Sequence, residues 1–169
     1  MAEYMLKPVL KTAKQAFYLE DANGNMVYEG KMTKFSLFAA SPFEFVNHVT
    51  NQTAEHKVGK TITAEQGGGG LISVLSKKSY FKYDGKNIWD YLHDEGIRIN
   101  TGISGNKIGM SYDVSYKGTH LATIANSSPK GKSILTTDLY YDVICEEKDL
   151  DLVFLVAFSI AKTDQTFYN

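Results

Sequence analysis

The longest apolar stretch of the chain lies near its C-terminus. From Leu152 to Ala161 only Ser159 is polar, and neither Gly nor Pro interrupts the run. Asp149 is a good helix cap, and Lys162 lies near the far end, where a cation is favoured. The pattern therefore predicts a helix from residue 149 to about Thr163.

This predicted helix is apolar on every side, which is typical of a helix buried in a core or in a membrane. Spanning a bilayer takes about 20 apolar residues, and the run is shorter than that. We therefore expect protein to surround the helix on all sides, with the rest of the chain as its covering.

Before the helix, apolar and polar residues alternate with a period of two, and turn residues separate the alternating segments. Asn23-Gly24, Asp84-Gly85 and Lys117-Gly118 predict three hairpins, and Asn87 to Leu92 is predicted as the returning strand of the second. The candidate strands are 16–20, 26–32, 43–49, 56–63, 71–75, 79–83, 87–92, 97–103, 110–116, 120–125, 133–135 and 138–145.

About ten to twelve short strands with short turns predict a sandwich or a closed barrel. A closed barrel leaves no exposed strand edges, and it offers an interior for the apolar helix. The predicted fold is thus mainly β, a closed antiparallel barrel of about twelve strands around a central hydrophobic C-terminal α-helix. A chain of 169 residues fits one domain covering residues 1–169, since domains usually run to about 100–200 residues.

Two segments carry a resemblance to a known family. The segment from Phe17 to Tyr28, FYLEDANGNMVY, resembles the opening hairpin of the LURP-one-related family, and Leu152 to Ala161 resembles that family's final core helix. The family belongs to the tubby C-terminal-like superfamily, with phospholipid scramblases as relatives. The resemblance implies a twelve-stranded barrel around a C-terminal helix and no established enzymatic activity. Tubby proteins bind phosphoinositides and scramblases associate with membranes, so it also points to lipid surfaces.

The composition limits which partners and which cellular compartment we expect for the protein. The net charge is −1 and the pI is near 6.4, so no nucleic-acid partner is expected. The single cysteine, Cys145, excludes an internal disulfide and indicates a reducing compartment. Residues 1–10 lack the apolar core of a signal peptide. We expect a cytoplasmic protein that can attach peripherally to a membrane.

The sequence contains only parts of known motifs for catalysis and metal binding. Gly59-Lys60-Thr61 matches the end of a P-loop, but position 54 is Ala54 where that motif has Gly. The turn 21–25 has the first spacings of a calcium loop without its Gly or its closing Glu. The four histidines show no ligand spacing, and alternation places Cys145 on the apolar face of the last strand. No cofactor and no metal are therefore expected.

An acidic and aromatic segment is a candidate for a catalytic cleft. Asp90, Asp94 and Glu95 surround Trp89 and Tyr91, and such carboxylates can have raised pKa values in a cleft. Alternation along a half-exposed strand explains the same residues equally simply. No catalytic residues are predicted.

The strongest functional signal is an excess of lysine between residues 57 and 86, hereafter the lysine segment. Six lysines stand there against Glu65 and Asp84 alone. Lysines attract anionic headgroups, and the aromatic residues 80, 81 and 83 either insert at such a surface or face the core. The candidate ligand-binding residues are Lys57, Lys60, Lys77, Lys78 and Lys82.

Three classes of function remain open at this point. The first is a non-catalytic binding module for anionic lipid or another anionic ligand at a membrane surface. The second is a protein-interaction scaffold or regulator that uses the acidic region 138–151. The third is an enzyme whose site is assembled only in the fold.

Overall fold

The computed structural model describes residues 1–11, 14–32, 41–50, 63–66, 81–83, 86–103, 110–127 and 140–168. The first strands are β1 (Ala2–Lys11), β2 (Lys14–Asp21), β3 (Met26–Met32), β4 (Ser41–Asn47), β5 (Thr63–Gln66), β6 (Phe81–Tyr83) and β7 (Lys86–Asn87). Helix α1 (Ile88–Glu95) follows, and then β8 (Ile97–Ile103), β9 (Met110–Tyr116), β10 (Thr119–Asn126) and β11 (Tyr141–Cys145). A short 3-10 helix (Glu147–Asp149) leads into α2 (Leu150–Tyr168).

All eleven described strands belong to one antiparallel sheet in the order β7-β6-β5-β4-β3-β2-β1-β11-β10-β9-β8. Neighbours in the sheet are neighbours in the sequence, except where β1 pairs with β11. That pairing runs from Ala2 opposite Cys145 to Leu6 opposite Tyr141. A mainly β, antiparallel fold with a C-terminal helix is thereby confirmed.

The two ends of the sheet, β7 and β8, are joined through α1. This helix contacts β6 and β7 on one side, β8 on the other, and α2 as well. Among the described residues the pairings do not join β7 to β8. Closure into a twelve-stranded barrel stays a prediction.

Helix α2 is the centre of the core. Every residue from Val153 to Lys162 is buried, so protein covers all sides of the helix along this length. Aromatic rings from β2, β3 and β4 pack on it: Phe17 lies edge-on to Phe158 at 5.3 Å, and Tyr28 stacks on Phe154 at 4.3 Å. The predicted all-round burial of the helix is confirmed.

Close packing of α2 against the sheet explains a glycine in the middle of β3. A Cβ atom on Gly30 would lie 2.8 Å from the Phe45 ring and 3.0 Å from the Phe154 ring. Only a residue without a side chain leaves room for both rings. Gly30 therefore sets how near the strand and the helix can approach.

The predicted strand at 87–92 is wrong, although the hairpin before it is confirmed. Lys82 pairs with Asn87 and Tyr83 with Lys86, so β6 and β7 are antiparallel partners, but the chain then forms α1. The Asn87 side chain accepts a hydrogen bond from the Trp89 N–H at 2.9 Å and caps the helix. Ile88 and Leu92 lie four residues apart and are both buried, which is the spacing of one helix face. The prediction of a strand, with its period of two, missed this spacing.

Helix α2 also runs beyond its predicted end near Thr163, to Tyr168. Lys162 consequently lies inside the helix and is buried, so the expectation that it favours the helix end is wrong. Strand β1 was missed altogether, although buried Tyr4 and Leu6 alternate with exposed or half-buried neighbours. The predicted strands at 71–75 and 133–135, and 56–63 except Thr63, lie outside the described residues.

Candidate functional site

Most of the predicted ligand-binding lysines lie outside the described residues. This holds for Lys57, Lys60, Lys77 and Lys78, while for Lys82 the structure gives the backbone position in β6. There Lys82 is opposite Glu65 on β5 and Asn87 on β7. Of the five candidate ligand-binding lysines, only Lys82 therefore lies among the described residues.

The register also gives the position of the Lys82 backbone relative to that of Phe43. Ala64 on β5 pairs with buried Phe43 and with Tyr83, so these positions form one cross-strand row. Lys82 lies in the neighbouring row, and successive residues of a strand occupy opposite faces of the sheet. Tyr83 thus shares a cross-strand row with Phe43, and Lys82 does not.

Lys86, at the end of the lysine segment, forms an ion pair with a residue of α1. Its Nζ lies 2.7 Å from the Asp94 carboxylate, and both side chains are exposed. The hydrogen bond from Lys86 holds the pKa of Asp94 below its usual value, and the same bond raises the pKa of Lys86. Lys86 also shares the row of Tyr83, so it does not extend the row of Lys82.

The acidic and aromatic segment forms a helix surface. Asp90, Asp94 and Glu95 are exposed on α1, whereas Ile88 and Leu92 point into the core. Exposed carboxylates remain hydrated, so they lack the burial that prepares a carboxyl group for acid–base catalysis. Their arrangement is that of an amphipathic helix on the protein surface.

Acidic groups gather where β1, β2 and β11 meet, around Tyr4. Tyr4 pairs with Asp21 on one side and with Val143 on the other. Burial raises the pKa of the Tyr4 hydroxyl, and the nearby negative charges of Glu147, Asp21 and Glu146 raise it further. We name Asp21, Glu146 and Glu147 the acidic corner.

Cys145 is fully buried on β11, as its place in the alternation predicted. Burial raises the pKa of the thiol to about 12, and the negative charges of Asp149 and Glu146 contribute. The thiol therefore stays protonated at neutral pH. A nucleophilic cysteine requires the thiolate, so Cys145 acts as a small apolar core residue.

Sequence reasoning missed Lys162 as a buried cation. Its side chain is 4% exposed, and its Nζ lies 5.2 Å from the ring centre of Phe43 and 5.7 Å from that of Phe17. Burial lowers the pKa of its ammonium group to about 7. The signal in the sequence is its spacing, four residues after Phe158 and thus on the same helix face.

A second missed cluster joins the start of α2 to β3 and β4. The Asp151 carboxylate accepts a hydrogen bond from the Tyr28 hydroxyl at 2.8 Å and from the Asn47 amide at 3.4 Å. The Asn47 side-chain oxygen in turn accepts from the backbone N–H of Val49 at 3.0 Å. Since 123 residues separate Tyr28 from Asp151, no local pattern predicts this contact.

The described histidines occupy surface positions. His48 lies 3.2 Å from Glu29, and His120 lies 3.2 Å from Thr123, whose hydroxyl donates to Asp113. Within the described ranges, no group of three or more His, Cys, Asp or Glu side chains is arranged to hold a metal ion. In the same part of the chain, no helix has the length and apolarity needed to cross a membrane.

No protein-family model, curated protein or solved structure matches this chain.

Proposed function

We propose that the protein is a non-catalytic binding module that attaches weakly and peripherally to anionic lipid surfaces. The observation that carries the proposal is the lysine excess of the lysine segment, six lysines against two acidic residues in a chain of net charge −1. The binding residues are Lys77, Lys78 and Lys82, with Lys57 and Lys60 adding to the patch. The protein itself would be cytoplasmic.

The position of Lys82 supports this proposal. Its backbone lies in the cross-strand row next to the row that contains buried Phe43. Glu65 lies opposite Lys82 and reduces the local positive charge. Affinity is therefore expected to be weak and to depend on the lysines outside β6.

The arrangement of the core also supports binding at the outer surface. The apolar side chains of α2 from Val153 to Ile160 are buried against the sheet, so they are not available to insert into a bilayer. Attachment then relies on electrostatic attraction. Each lysine near an anionic membrane contributes about 1 kcal/mol.

For the fold we propose closure into a tubby C-terminal-like barrel, in line with the LURP-one-related resemblance. The strands follow one another from β1 to β7 and from β8 to β11, and β1 joins β11. Both ends of this series contact α1, and α2 is enclosed by the sheet. Closure requires one further connection, between the β7 and β8 ends.

Sedimentation with vesicles tests the proposed function. Wild type is expected to sediment with vesicles that contain anionic lipid and to stay in solution with neutral vesicles. Sedimentation should decline steeply as salt rises through about 0.1 M, where the Debye length is about 10 Å. The double variant Lys77→Glu, Lys78→Glu should lose most of this binding.

The matched control is Lys31→Glu, Lys148→Glu, which makes the same change in net charge at exposed lysines outside the lysine segment. It should sediment nearly as wild type does. If wild type stays in solution with anionic vesicles at low salt, the lipid proposal is wrong. If both double variants sediment equally, the binding site lies elsewhere.

A second candidate function is attachment to a protein partner with a basic surface. The acidic corner favours it, because Asp21, Glu146 and Glu147 all act on Tyr4 and place negative charge where β1, β2 and β11 meet. Glu146 is partly balanced by the N-terminal ammonium group, 3.7 Å away. The enzyme alternative gains no support from the described residues, since Cys145 is protonated and the carboxylates of α1 are exposed.

A further inference from the structure

We draw no further inference here: the strongest candidate, the buried ammonium group of Lys162 on the core helix beside the rings of Phe17 and Phe43, carries nothing, because only its lowered pKa sets it apart and burial alone accounts for that shift.

Discussion

Burial controls the protonation of two residues in the core, Lys162 and Cys145. A buried site disfavours the charged form of any ionisable group. The effect therefore lowers the pKa of the Lys162 ammonium group to about 7 and raises the pKa of the Cys145 thiol to about 12. Both groups are pushed toward neutrality near physiological pH. Each shift gives a prediction that solution measurements can check.

We predict that Lys162→Met raises stability most at pH 7 and progressively less toward pH 10. Between about pH 7 and pH 10.5 the unfolded chain keeps a proton that folded Lys162 has released, so wild-type stability rises with pH in this window. Methionine carries no such proton. One pKa unit corresponds to about 1.4 kcal/mol, so the advantage of the variant should shrink by about 2–4 kcal/mol over this range.

Urea unfolding at a series of pH values measures this difference. Cys145 and the other titrating groups are present in both proteins, so their contributions cancel in the comparison. Lys148→Met, at an exposed lysine, is the control for replacing a lysine with methionine outside the core. Parallel pH profiles for Lys162→Met and wild type would mean that folded Lys162 keeps an ordinary pKa.

We predict that Cys145 reacts with a thiol reagent only when the protein unfolds. The thiol is fully buried, and its raised pKa leaves almost no thiolate at pH 8. The labelling rate should therefore follow the unfolded fraction as urea increases. Rapid stoichiometric labelling of the native protein would contradict this and would reopen a redox or catalytic role.

The burial and contacts of some residues can be predicted from the sequence, and those of others cannot. Cys145 lies in a strand of strict alternation, so its burial was predictable from its neighbours. A lysine after an apolar run is typical of a helix end, yet Lys162 lies inside α2 and is buried, because the helix continues to Tyr168. The contact of Asp151 with Tyr28 and Asn47 depends on the folded chain bringing distant residues together, so no local pattern contains it.

Among the elements, α1 shows why a short alternating segment is ambiguous. The residues from Asn87 to Leu92 suit a strand by composition, since Ile, Trp and Tyr favour strands. The helix forms because Asn87 caps it, and because Gly96 ends it with a φ of 100° that glycine adopts without strain. These two flanking residues were the available signal for a helix.

For α2 we predict that Leu155→Lys abolishes folding. Leu155 is 4% exposed and lies in the fully enclosed part of the helix, so a lysine there would place a charge in the core. An unpaired buried charge costs several kcal/mol, which is comparable to the whole stability of a domain. The expected result is an insoluble protein or one without a cooperative thermal transition.

The matched control is Leu152→Lys, one turn earlier on the same helix. Leu152 is only half-buried, and a lysine there can reach water with its ammonium group. This variant should fold and melt cooperatively, at a somewhat lower temperature than wild type. A soluble, cooperatively melting Leu155→Lys protein would contradict the placement of α2 in the core.

At the scale of the whole molecule, the class of fold was predictable but the strand partners were not. Alternation with a period of two, followed by one wholly apolar run, indicates a sheet around a helix. It does not say that β1 pairs with β11, which joins residues 2–6 to residues 141–145. Such long-range pairing depends on the summed packing of the core against α2. No local pattern in either strand specifies it.

The last prediction concerns cooperativity, and it uses the only tryptophan of the chain, Trp89. Trp89 lies on α1, which contacts both ends of the sheet and also α2. If α1 helps to hold the sheet around the core helix, α1 cannot detach while the sheet stays folded. Urea unfolding followed by Trp89 fluorescence and by far-ultraviolet circular dichroism should therefore give the same midpoint.

Asn87→Ala sharpens this test, because it removes the side chain that caps α1 and keeps the backbone groups with which residue 87 pairs with Lys82 in the sheet. Loss of such a cap costs about 1 kcal/mol. In a cooperative molecule both midpoints should fall together by the same amount. A lower midpoint for fluorescence than for circular dichroism would show that α1 unfolds separately, and that the sheet encloses α2 without it.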